Sequence, residues 1–251
     1  MLRTHNPFLI SRVFLWIIFA FVPATAPANS VRPPVDSPSP PAIVIGFVGG
    51  FVRHNNPVHS EVQLAARLRR EYPQGVHVEV FQNHRGRSAY EKILQLLDTN
   101  HSGKLTPEEK QNARIILYGH SWGGSEAISV ARKLQADGIR VLLTVQIDSV
   151  TKLGEDDRVI PSNVAQAANF YQPYGHPHGL PLIRAADPSR TRIIGNFRFD
   201  YKTHPVNCYA DYSWWDRDLS KPHTEIECDP AVWNHVDSLI HEALAAPTHE
   251  P

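Results

Sequence analysis

Residues 119–123, Gly-His-Ser-Trp-Gly, have the types and the spacing that present a serine as a nucleophile. The apolar run from Ile115 to Tyr118 precedes them and a helical pattern follows, so the sequence predicts a strand, a sharp turn and a helix. Because such a turn is crowded, Gly119 and Gly123 are needed to keep Cβ atoms out of it. Ser121 can then adopt a strained backbone conformation with its Oγ above the edge of a sheet. We therefore expect Ser121 to act as a nucleophile.

Attack by a serine on a carbonyl carbon creates an oxyanion, which backbone N–H groups must stabilise. Trp122 opens the predicted helix, so we expect its N–H and the positive end of the helix dipole to face that oxygen. A second N–H is expected where an early apolar run, residues 42–48, enters the pair Gly49-Gly50. We assign this second donor to Val48, although a plain turn at the two glycines would explain the same sequence.

A serine hydroxyl is a weak nucleophile at neutral pH, so an imidazole must take its proton and a carboxylate must fix the tautomer of that imidazole. The chain has 14 histidines. We assign the role to His223, which follows the last predicted strand in a loop before the terminal helix. His204, close to that strand, and His235, inside the helix, are the alternatives. The carboxylate is either Asp148 or Asp200, since each follows a predicted strand.

A second stretch with possible chemistry is 98–109, where oxygen-bearing residues recur at the spacing of an EF-hand calcium loop. Gly103 occupies the sharp-turn position. Since only two ligand side chains would be charged, we expect structural calcium with a weak dissociation constant, roughly 10⁻⁴ to 10⁻³ M. Residues 106–109 also form a capping box with proline at the first helical position, which alone would explain them. The expected ligands are Asp98, Asn100, Ser102, the carbonyl of Lys104, Thr106 and Glu109.

The first 28 residues have the features of a signal peptide: Arg3 and Arg12, the apolar run 13–22, and small residues that suit a signal peptidase. Ten apolar residues are too few for a comfortable membrane span. We therefore expect a secreted or periplasmic protein, and anchorage to the membrane by an uncleaved signal is the alternative. Residues 29–41 are a Pro-rich spacer.

Cys208 and Cys228 are the only cysteines of the chain. In an exported protein an isolated pair most simply forms one disulfide, and this one would brace the His223 loop. Two unpaired buried thiols are the alternative. Aromatic residues between Tyr209 and Trp215 lie close in sequence to the same histidine. They either line an acyl pocket or pack a loop onto the core.

Strands and helices that alternate along the chain must position these residues. The alternation predicts one α/β domain over residues 42–246, with a mainly parallel sheet and flanking helices. Residues 151–190 carry five prolines and are expected to form a lid or a substrate wall. The predicted strands are 42–48, 76–81, 115–118, 140–147 and 191–199, and the predicted helices are 58–72, 88–97, 125–137, 163–170 and 229–244.

The stretch from Gly119 to Asp148 resembles the thioesterase-like branch of the α/β-hydrolase superfamily. The resemblance rests on Gly-His-Ser-Trp-Gly-Gly at 119–124, Ala-Arg-Lys-Leu-Gln-Ala-Asp-Gly at 131–138 and Val-Gln-Ile-Asp-Ser at 145–149. It implies an α/β-hydrolase fold. It also implies that Asp148 is the catalytic acid, because Asp148 follows the next strand after the helix that begins beside Ser121. His-Thr-Glu-Ile, from His223 onward, is similar to the histidine turn of that family.

The composition narrows the class of function. Lys plus Arg and Asp plus Glu are equal at 25 each, which argues against a nucleic-acid-binding face. We expect a secreted serine hydrolase that cleaves esters or thioesters of small molecules through an acyl-enzyme, with no cofactor for catalysis. A binding protein that keeps the fold without turnover, or an acyltransferase or peptidase with the same triad, are the alternatives. The sequence leaves the acyl group and the oligomeric state open.

Overall fold

The computed structural model describes residues 40–208, 210–214 and 221–246 of the 251-residue chain. The expected signal peptide and all but the last two residues of the Pro-rich spacer lie outside the described residues, as do Tyr209 and Trp215.

A six-stranded sheet forms the centre of the described region. Its strands are β1 Ala42–Val48, β2 Val76–Gln82, β3 Ile115–His120, β4 Val141–Ile147, β6 Val164–Tyr171 and β8 Arg192–Arg198. They lie in the order β2-β1-β3-β4-β6-β8, and every neighbouring pair is parallel. The predicted parallel sheet is therefore confirmed. A separate parallel pair joins β5 Val159–Ile160 to β7 Arg184–Ala185.

Helices cover both faces of this sheet. They are α1 Ser60–Glu71, α2 Gly86–Leu97, α3 Pro107–Gln111, α4 Trp122–Ala136, α5 Lys221–Cys228 and α6 Pro230–Ala245. In β1, Val44 packs in the cluster that includes α1 and α6, whereas Ile43 and Ile45 pack with α2 and α4. Because side chains alternate between the faces of a strand and both faces are buried, β1 is a continuous apolar run. None of the described helices combines the length and the apolar character required to cross a membrane.

The strand β6 corrects the prediction of a helix over residues 163–170. Its alanines favour a helix when the segment is considered alone. In the structure the segment pairs with β4 on one side and β8 on the other, so its backbone is hydrogen bonded as a strand. Within residues 151–190, the expected lid or substrate wall, β6 lies inside the sheet and Pro177 lines the cavity beside Ser121.

The helix α5 corrects a second prediction, because His223 lies in the first turn of this helix and not in a loop. Pro222 lies in the same first turn. Proline is tolerated in the first helical turn, where its missing N–H would have no intrahelical partner. The helix then ends at Cys228, and Asp229 caps the following helix through its carboxylate, which accepts a hydrogen bond from the N–H of Ala231.

Candidate active site

Ser121 lies on the turn between β3 and α4 with φ 55° and ψ −127°, a conformation in which side chains other than glycine are strained. The surrounding chain is packed too closely to relax. A Cβ added to Gly119 would lie 2.4 Å from the carbonyl carbon of Gly123, and one added to Gly123 would lie 2.2 Å from the carbonyl oxygen of Phe47. The Ser121 N–H donates to the carbonyl of Ile147, 3.0 Å away. These contacts hold the turn and its hydroxyl at the carboxyl edge of the sheet.

His223 and Asp148 meet at the same edge, although they are 75 residues apart in sequence. The Nδ1 of His223 lies 2.6 Å from the Oδ2 of Asp148, and both side chains are buried. Asp148 follows β4 and accepts three further hydrogen bonds: from the N–H of Gln172 (3.1 Å), from the side-chain amide of Gln172 (2.9 Å) and from the N–H of Gly179 (2.7 Å). A buried carboxylate with this many donors is fixed in orientation.

Asp200, the alternative acid, is engaged elsewhere. Its carboxylate accepts hydrogen bonds from the hydroxyl of Tyr174 (3.0 Å) and from the N–H groups of Lys202 (3.1 Å) and Thr203 (3.3 Å). Among the described residues, the structure brings Asp148 to the imidazole and leaves Asp200 in its own turn.

The two alternative histidines also lie among other groups. His204 is exposed and its Nδ1 lies 2.9 Å from the hydroxyl of Thr203. The ring of His235, on α6, packs against the rings of Phe170 and Phe197 at centroid distances of 5.1 and 4.6 Å. Neither is among the residues that line the cavity beside Ser121.

That cavity has a volume of about 780 Å³ and is lined by both Ser121 and His223. Trp122, the first residue of α4, also lines it. Val48 does not: it is fully buried and pairs with Gln82 at the end of β1. The turn that follows is closer to the serine, since a Cβ added to Gly49 would lie 2.9 Å from the Ser121 Cβ. The wall of the cavity at this turn consists of Gly49, Gly50 and Phe51.

The buried imidazole of His120, beside the serine, is a feature of the site that the sequence did not predict. His120 precedes Ser121, its ring lies 4.3 Å from that of His223, and its Nε2 lies 3.2 Å from the His223 carbonyl oxygen. Burial, reinforced by the neighbouring imidazoles of His223 and His59, holds the pKa of His120 well below its usual value. A neutral His120 can donate its Nε2–H to that carbonyl and support the first turn of α5.

The loop at 98–109 is folded by its own hydrogen bonds. Asp98 accepts from the N–H groups of Ser102 (3.0 Å) and Gly103 (2.9 Å), and Ser102 Oγ donates to the Lys104 carbonyl (2.8 Å). The predicted capping box is present, since Thr106 and Glu109 accept from each other's N–H groups at 3.1 and 2.8 Å. The oxygen-only donor set fits calcium chemistry, because calcium takes carboxylate, hydroxyl and carbonyl oxygens. Calcium binding stays a prediction.

The structure pairs Cys208 with Cys228 in a disulfide, with 5.6 Å between their Cα atoms. The bond joins the segment after β8 to the last residue of α5. It therefore ties the helix that carries His223 to the chain that follows the last sheet strand.

The fold is that of an α/β hydrolase. Its six-stranded sheet is wholly parallel and has helices on both faces, and its serine lies on a strained turn from a strand to a helix. The acid and the histidine come from later elements of the chain. No protein-family model matches the chain, and no curated protein matches it. Several solved structures do. A dienelactone hydrolase from Anabaena variabilis is 13% identical with a TM-score of 0.41, covering 82% of this chain and 87% of that one. Est1E from Butyrivibrio proteoclasticus is 13% identical with a TM-score of 0.40, covering 85% and 92%.

Proposed function

We propose that the protein is an exported serine hydrolase that cleaves carboxylic esters or thioesters of small molecules through an acyl-enzyme on Ser121. One observation carries this proposal: the imidazole of His223 lies 2.6 Å from a fully buried carboxylate, in the cavity that Ser121 also lines. A serine, an imidazole and an orienting carboxylate are the parts needed to activate a hydroxyl at neutral pH.

In the proposed reaction Asp148 holds the Nδ1–H of His223, which leaves Nε2 to take the proton of the serine hydroxyl. The Ser121 Oγ attacks the carbonyl carbon, and the N–H of Trp122 stabilises the oxyanion together with an N–H of the turn at 49–51. His223 then returns the proton to the departing oxygen or sulfur, and the acyl-enzyme forms. A water molecule, deprotonated by the same Nε2, attacks the acyl carbon, and the proton passes back to Ser121 as the acid leaves.

The cavity supports a small-molecule substrate. Its volume of about 780 Å³ falls within the usual range of small-ligand pockets, roughly 300–1,000 Å³. Apolar side chains of Phe51, Val52, Val58 and Val150 line it together with the polar groups at the serine. An acyl group would pack on the former while its carbonyl faces the latter.

Export is proposed from residues 1–28, with anchorage by an uncleaved signal as the alternative. The disulfide supports an oxidising compartment, where such bonds persist.

The test is a panel of aryl esters and acyl thioesters of graded chain length, applied to protein that begins after residue 28. We expect Ser121→Ala to lower turnover by several orders of magnitude with an unchanged melting temperature, because the hydroxyl serves the reaction and adds little to packing. Ser129→Ala, eight residues further along α4, is the matched control and should keep wild-type turnover. Near-wild-type turnover of Ser121→Ala would remove the proposal, and the panel itself separates esters from thioesters.

A further inference from the structure

Three titratable side chains cluster in and behind one wall of the cavity, apart from the proposed catalytic set. His59 precedes α1, Glu61 lies in the first turn of α1, and Glu227 lies near the end of α5. One nitrogen or oxygen of each lies within 4.8 Å of the others, and all three side chains are buried. The Nδ1 of His59 lies 2.5 Å from one oxygen of Glu227.

Glu61 gives this cluster its unusual character. The residue is 0% exposed, and in the described part of the chain neither of its carboxylate oxygens has a hydrogen-bond partner. Its backbone is fixed, because the hydroxyl of Tyr118 donates to its carbonyl at 2.9 Å. An ionised carboxylate that is buried and accepts no hydrogen bond is costly. Two carboxylates and one imidazole meet here, so a cation would offset the negative charge that the cluster carries when both glutamates are ionised.

We propose that His59, Glu61 and Glu227 bind a divalent transition-metal ion, with zinc the best match. One imidazole nitrogen and two carboxylate oxygens are a ligand set that zinc accepts, and three protein ligands leave one tetrahedral position open. His59 and Glu227 also line the cavity, so that position would face the substrate space. An ion here would link the start of α1 to α5, the helix that carries His223.

The neighbourhood of the cluster fits a fixed site. The ring of Tyr212 contacts that of His59 edge-on, with 5.1 Å between the centroids. The hydrogen bond from Trp233 Nε1 to the Glu227 carbonyl fixes the backbone of that residue. Supporting contacts of this kind hold metal ligands in orientation.

The test uses mature, untagged protein that has been dialysed against a chelator and then titrated with Zn²⁺ or Co²⁺. We expect binding of one ion per chain by elemental analysis, a higher melting temperature, and Co²⁺ absorption bands of a low-coordinate site. Glu61→Gln should lose the ion and the rise in melting temperature. Should that variant not fold, His59→Asn and Glu227→Gln make the same measurement. None of these readouts depends on turnover, so the result is independent of the proposed hydrolase activity.

Two controls separate this site from others. Glu71→Gln changes a more exposed cluster of Glu71, Asp237 and His241 and should keep full binding. Asp98→Ala with Glu109→Gln removes the predicted calcium loop and should also keep it. Absence of bound ion in the wild-type protein would overturn the proposal and favour a proton shared between Glu61 and Glu227. Retention of the ion by Glu61→Gln together with loss by Glu71→Gln would overturn it as well, by placing the ion at the exposed cluster.

Discussion

Of the three non-glycine residues with positive φ in the described part of the chain, two are residues to which the reaction is assigned; the third is His101 in the 98–109 loop. Ser121 has φ 55° and Asp148 has φ 42°, and each follows one of two neighbouring strands, β3 and β4. A residue other than glycine keeps a positive φ only where its surroundings hold the backbone in that conformation. Ser121 is held by the close packing around Gly119 and Gly123, and Asp148 is held by hydrogen bonds from Gln172 and Gly179 to its carboxylate. The strain therefore fixes where the hydroxyl and the carboxylate stand.

Substitution of the two candidate acids tests the residue assignments directly. We expect Asp148→Asn to lower kcat/KM for an aryl ester by about 10³- to 10⁴-fold, because the amide would leave the imidazole in the wrong tautomer. Asp200→Asn is the matched control and should stay within a few-fold of wild type, since its contacts are with Tyr174, Arg198 and its own turn. The reverse ranking would make Asp200 the acid.

Local motifs in the sequence mark Ser121 and Asp148, but no motif marks side chains that only folding brings together. Ser121 stands in a recognisable turn, and Asp148 follows an apolar run that could be identified as a strand. His59, Glu61 and Glu227 have no such signal, because 166 residues separate the two glutamates and no spacing rule connects them. Val48, the expected second donor, does not line the cavity, whereas Gly49 and Gly50, which follow it, do.

At the scale of elements, burial decided which predictions succeeded. The strands β1, β3 and β4 are almost wholly buried, so β1 and residues 115–118 of β3 are continuous apolar runs, and β4 is interrupted only by Thr144 and Gln146. The strand β6 has an alanine-rich sequence, and only its pairing with two neighbours makes it a strand. Local propensity carries no information about such partners.

The loop before β3 provides a prediction at this scale. Calcium at a few millimolar should raise the melting temperature of protein first freed of metal, because ligand bound only to the folded state stabilises it. Asp98→Ala with Glu109→Gln should abolish the rise, since these are the two charged ligands. The double variant also loses half of the capping box, so its melting temperature without calcium should be lower by itself.

The measurement is therefore the rise on adding calcium and not the absolute melting temperature. Glu108→Gln, an exposed neighbour that is not an expected ligand, is the control and should keep the full rise. An equal rise in the double variant would remove the calcium site and leave the capping box as the function of these residues.

At the scale of the whole molecule, α5 is the element on which both proposals depend. It carries His223 in its first turn and Glu227 near its end, and the disulfide joins its last residue to the segment after β8. The helix has only 8 residues, which is too short for a stable helix in isolation. Its position must come from the disulfide, from packing on the core through Ile226, and from the contacts of its histidine and glutamate.

Removal of the disulfide should therefore affect stability and activity together. The bond closes a loop with a sequence separation of 20, so the double variant Cys208→Ser with Cys228→Ser should lower the free energy of unfolding by about 3 kcal/mol. Urea unfolding followed by tryptophan fluorescence measures this loss. Dithiothreitol should lower the ester turnover of the wild-type protein and leave that of the double variant unchanged, because only the former has a bond to reduce. Thiol titration of unreduced, denatured wild-type protein should find no free thiol; two per chain would contradict the pairing and remove the support assigned to α5.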